Sequence, residues 1–119
     1  HLGVAAAIKI SWDDLSSAVQ KVAMLLSLFA PVAIAWTLLE DTAKSTEITE
    51  SELEEARGQL DNSHLMQPVD EDYSFYRIHP LVREFFQQQL QEIPKINSLY
   101  RCAFVETLLT IAENIPLIR

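Results

Sequence analysis

Residues 65–90 constrain this chain most, because two strand-like stretches run directly into a helix that opens on proline. Leu65-Met66-Gln67-Pro68-Val69 and Tyr73-Ser74-Phe75-Tyr76-Arg77-Ile78 flank the polar connection Asp70-Glu71-Asp72 and read as a short hairpin. Pro68 has no N–H to give a ladder, which places the first strand at an edge. Pro80 lacks only a donor that the first turn of a helix leaves unused, so a helix opens there with Leu81, Val82, Phe85, Phe86 and Leu90 along one face. His79 falls on the corner between strand and helix.

The remainder has helical spacing. Residues 2–10 suggest a short leading helix, broken at Ser11-Trp12-Asp13-Asp14. A second helix begins near Ser16 or Ser17 and carries Ala18, Val19, Val22, Ala23, Leu25, Leu26 and Phe29, with Pro31 ending it and setting a corner. It is apolar around most of its circumference, which marks it as central. Another fits residues 34–43, with Trp36, Leu38 and Leu39 inward and Glu40, Asp41 and Lys44 toward water. Thr49-Glu50-Ser51-Glu52 is a capping box in which hydroxyl and carboxylate each satisfy a first-turn amide, so a helix starts there and buries Leu53, Ala56 and Leu60 before Asp61-Asn62-Ser63 ends it. After Pro94 the spacing predicts a helix over 96–114, with Tyr100, Phe104, Leu108, Ile111 and Ile115 on one stripe and Val105, Leu109 and Ala112 beside it. Two stripes imply neighbours on both sides.

This order predicts a mainly α, winged-helix arrangement: a helix bundle with a small two-stranded β-hairpin, plus flanking helices. The division expected is a leading helix and linker over 1–15, the winged-helix domain over 16–93, and a C-terminal helix over 94–119.

Composition narrows the function. The 119 residues are enough for one real core, and 49% of them are hydrophobic. Seventeen acids against nine bases give a net charge of −8, the wrong sign for a nucleic-acid backbone. The region 47–62 sets Glu47, Glu50, Glu52, Glu54, Glu55 and Asp61 against Arg57 alone, either a solvated helix face or a docking face for a basic partner. With two glycines there is no phosphate-cradling loop, and no serine lies in a nucleophile elbow. His1, His64, His79 and Cys102 show no metal-ligand spacing, so no metal is expected. One cysteine cannot form an internal disulfide and no apolar run is long enough for a bilayer, which points to the cytoplasm and away from membranes. Starting on His1 and staying apolar through Ile115-Pro116-Leu117-Ile118, the chain reads as a fragment of a longer protein.

Four segments, taken in order, resemble the winged-helix part of NB-ARC proteins, the STAND-class ATPases that include plant disease-resistance receptors, apoptosome scaffolds and bacterial, notably cyanobacterial, regulators with tetratricopeptide repeats. "AAIKISWDDL" (6–15) is similar to the family's "aLkLSYDDLP", and "AMLLSLFAP" (23–31) to its "fLyLSlFP". "LEEARGQLDNSHLMQPVD" (53–70) is similar to "LEeLvnrsLLqpvd", and "YRIHPLVREFF" (76–86) to "YrMHDLlReFa".

The resemblance implies a regulatory module without catalysis of its own, cut from an ATPase whose catalytic domain is absent from this chain. Its partners would be the nucleotide-binding domain and a helical-repeat domain of the same chain. No cofactor belongs to the fragment, whereas the full-length protein would hold ADP or ATP with magnesium. His79 takes the place of the Met-His-Asp histidine, which in the family reaches the β-phosphate of ADP in the neighbouring domain. Pro80 stands where the family has Asp, so only the histidine's role carries over. Arg83 matches the family arginine and reads as an ion-pair partner for Glu84 or, with Arg77, as a domain-interface contact. A DNA-binding winged helix and a general protein-interaction domain are the alternative functions, and the fragment is expected to self-associate through its C-terminal helix.

Overall fold

The computed structural model describes residues 2–29 and 33–114, so the corner expected at Pro31 and the stripe position Ile115 lie outside the described residues. The described chain is mainly α: six helices and a small three-stranded antiparallel sheet. In order these are α1 (Leu2–Asp13), α2 (Ser17–Leu26), β1 (Ile34–Ala35), α3 (Trp36–Ala43), α4 (Glu50–Asn62), β2 (Gln67–Pro68), β3 (Phe75–Arg77), α5 (Pro80–Gln91) and α6 (Pro94–Glu113).

Local chemistry sets several boundaries where the residues predict them. Ser16 caps α2 by accepting the Val19 N–H at 3.3 Å, and its own hydroxyl donates to Glu55 on α4 at 2.7 Å. The capping box of α4 is complete: Glu52 N–H donates to the Thr49 hydroxyl, and Thr49 N–H to the Glu52 carboxylate. Leu53, Ala56 and Leu60 are its buried stripe, and α5 opens with Pro80 in its first turn.

Several expectations need correction. The leading helix does not break at Ser11 but runs to Asp13, because Trp12 is buried against the rings of Phe85 and Phe86, and that docking outweighs the turn propensity. Helix α2 ends at Leu26; Ser27, Leu28 and Phe29 follow in tight turns.

The sheet has three strands rather than two, in the order β1-β3-β2. Ile34 and Ala35, expected as helix, pair with Tyr76 and Phe75, and α3 starts only at Trp36, whose N–H donates to the Ser74 carbonyl. Two residues carry no periodicity, so a strand created by a partner forty residues away leaves no local trace. Pro68 does lie on an edge strand.

The hairpin strands are also shorter than their apolar runs. Leu65 and Met66 finish α4 instead: His64 adopts a left-handed φ of 60°, its N–H donates to Asp61, and the Leu65 N–H reaches back to Leu60.

Helix α2 lies against α3, α4 and α5, and α6 against α3 and α5. Phe86, Leu25, Leu26, Leu39, Leu60, Met66, Ile78 and Leu90 form the fully enclosed centre. On α5 only Val82, Phe86 and Leu90 are buried, while Leu81 is exposed. On α6 only Tyr100 and Ala103 are buried, and of the two predicted stripes Leu108, Ile111, Val105 and Leu109 face out.

Candidate functional site at the strand-to-helix corner

The period of two along β3 decides what the corner displays. Tyr76 and Ile78 point into the core, at 3% and 1% exposure. Phe75, Arg77 and His79 take the opposite side and are exposed. Because β3 is the central strand, its backbone is held on both edges.

His79 is the N-cap of α5. Its Nδ1 accepts the Leu81 N–H at 3.1 Å, and its carbonyl accepts the Arg83 N–H at 2.9 Å. An Nδ1 that accepts carries no proton, so the neutral ring holds its hydrogen on Nε2. That Nε2–H has no partner among the described residues, and the side chain is exposed. The corner thus offers one oriented donor on a ring pinned at its other nitrogen.

Arg83 forms no ion pair with Glu84. Its Nε donates to the Phe29 carbonyl at 2.6 Å, and one turn later Gln87 donates to the Ser27 carbonyl at 3.1 Å. Both satisfy carbonyls that the end of α2 leaves open, stitching α5 to α2 beneath the corner. Arg77, opposite Gln67 on β2, has no ion pair among the described residues.

Arg57 was visible in the sequence only as the lone base in a run of acids, and its structural role is larger. Its Nε donates to the Tyr76 hydroxyl at 2.8 Å and another nitrogen donates to the Tyr73 carbonyl. The guanidinium lies 5.5 Å from the Trp36 ring centre and 5.4 Å from that of Tyr76, within cation–π range. The Tyr76 hydrogen bond first, then the charges of Tyr76, Glu54 and Glu40, raise its pKa against the opposing pull of burial. Arg57 therefore clamps the hairpin to α4 and fixes Tyr76, three residues before His79.

Acids on α4 have structural work as well, since Glu52 closes the capping box and Glu55 receives Ser16. Tyr100 has its pKa pushed up to about 12 by burial first, and then by the nearby charges of Glu52 and Glu47.

Among the described residues no group of three or more His, Cys, Asp and Glu could hold a metal ion, and no helix is long and apolar enough to cross a membrane. Beside the corner, a groove of about 170 Å³ lies between α1 and α5, lined by Val4, Ile8, Leu81 and Phe85 among others. That is below the roughly 300–1,000 Å³ of typical small-molecule sites. The open depression next to Arg57 is bordered by Glu54, Asp61 and Asp72, a poor setting for phosphate.

No protein-family model, no curated protein and no solved structure matches the chain.

Proposed function

We propose that residues 16–93 are the regulatory winged-helix module of a cytoplasmic STAND/NB-ARC-type signalling ATPase, packing on the nucleotide-binding domain of the same protein and relaying its ADP or ATP state. The observation that carries the reading is the His79 corner: Nδ1 is spent on the Leu81 amide, which leaves an outward Nε2–H donor on a rigid junction. The four-segment resemblance supports it, as does the order of α2, α3 and α4 before the β2–β3 wing and α5.

An imidazole donor on a phosphate oxygen contributes about 1.5–3 kcal/mol. That biases two domain arrangements by roughly ten- to hundredfold, since about 1.4 kcal/mol is a factor of ten. Pro80 supplies no carboxylate at the family's Asp position, and the helix is capped by His79 itself. ADP or ATP with magnesium would sit in the neighbouring domain. A role on DNA is disfavoured by α4, where the one arginine turns inward to the hairpin while Glu50, Glu54 and Glu55 remain exposed.

The test is ADP release from the parent protein containing the ATPase domain. His79→Ala is expected to speed release by roughly ten- to hundredfold, in line with the bias above. His79→Asn, which preserves a good N-cap but shortens the reach, separates the phosphate contact from helix stability: it should keep the wild-type melting temperature and still lose ADP. Unchanged release in both variants overturns the role of His79.

A further inference from the structure

Helix α6 uses only one side to hold the domain. Tyr100 and Ala103 are buried, Phe104 packs on the core and meets the Phe29 ring, and Thr107 hydrogen-bonds to Thr42 on α3. The opposite side carries Cys102, Val105, Leu109 and Ala112, all exposed, with Val105 at 50% and Leu109 at 57%. Their spacing of three, four and three residues is the a/d repeat of a helix-pairing seam.

We infer that this outward face of α6 is a pairing surface for a second copy of the chain, with the two helices parallel. The flanking charges choose the occupant and the direction. Arg101 lies on one side of the seam, and Glu106 and Glu113 lie on the other. Asn97 takes the Arg101 Nε hydrogen at 2.7 Å, and no ion pair among the described residues engages Arg101, Glu106 or Glu113. In a parallel pair opposite flanks meet, so Arg101 of each copy faces Glu106 of the other, twice by symmetry. An antiparallel pair would bring the glutamate flanks together.

The twofold axis runs along α6, which puts the two bodies on opposite sides of the seam. With about two heptads of apolar contact the interface belongs to the weak class, below roughly 1,200 Å². The inference does not depend on the nucleotide reading.

In a parallel pair identical seam residues oppose each other, so Cys102 meets Cys102 within the roughly 4.4–6.8 Å Cα separation a disulfide spans. Cross-linking with diamide, which takes up the two thiol hydrogens and their electrons, is therefore a register probe. The 119-residue chain should show a concentration-dependent dimer in sedimentation and a Cys102–Cys102 cross-link. Leu109→Glu should abolish both while keeping the melting temperature of the dilute, monomeric chain. Glu106→Arg should weaken the dimer several-fold, and adding Arg101→Glu should restore it. A monomer at all concentrations, or cross-linking as fast in Leu109→Glu, overturns the pairing surface. A dimer in which Cys102 links to a cysteine placed by Ala112→Cys, and not to Cys102, overturns the parallel direction.

Discussion

Helices α2 and α6 carry apolar residues on more than one face, yet they end in opposite situations. Val19, Val22, Ala23, Met24, Leu25 and Leu26 are all buried on α2, whereas α6 buries Tyr100 and Ala103 and leaves Val105, Leu108 and Leu109 open. Neighbours make the difference. Three helices surround α2, and its Gln20 reaches across to the Trp12 carbonyl at 2.9 Å. Helix α6 rests on α3 and α5 along one side only. Periodicity thus states which side chains need cover, and the rest of the fold decides which of them receive it.

The sharpest way to break this contrast is a truncation on each helix. Leu25→Ala on α2 removes a side chain with no exposed surface and is expected to lower unfolding free energy by about 2–5 kcal/mol, measured by chemical denaturation. The next effect in size belongs to the first half of α6, where Tyr100 is buried as the α2 side chains are. The Tyr100 phenol has a folded pKa of about 12, above the ordinary value of 10, because burial and then Glu52 and Glu47 disfavour its charged form. The folded state therefore holds the proton longer than the unfolded one. Stability from this group is whole below pH 10 and is lost as pH rises from 10 toward about 12. Tyr100→Phe should flatten that part of the pH–stability curve, and an unaltered decline would break the assignment. The smallest effect belongs to Leu109→Ala, expected within about 0.5 kcal/mol at concentrations where the chain is monomeric. A loss as large as that of Leu25→Ala would show that the outer face of α6 is covered within the monomer.

The same division between local and distant causes governs how much of the candidate site was legible. Pro80 announces a helix start through its own missing N–H, and so places His79 at a corner by local chemistry alone. That Nδ1 is consumed by the Leu81 amide, leaving Nε2 as the outward donor, depends on a rotamer and a backbone angle that spacing does not encode. Arg83 shows the limit more plainly. Glu84 is its neighbour in the chain, but Phe29, fifty-four positions earlier, supplies the carbonyl it bonds. Arg57 likewise finds Tyr76, nineteen positions on, rather than only the acids beside it.

By itself the sequence determined the features whose cause lies within a turn or two of chain: the capping box at Thr49, the buried stripe of α4, the edge position of Pro68, the opening of α5 and the net negative charge. Only the tertiary structure decided that Ile34 and Ala35 are a strand, that Trp12 carries α1 past its expected break, that Arg57 clamps the hairpin, and that one face of α6 remains open. Capping and ring constraints act between residues a few bonds apart, so they can be read along the chain. Strand pairing and burial come from residues tens of positions away, whose proximity exists only once the chain has closed on itself.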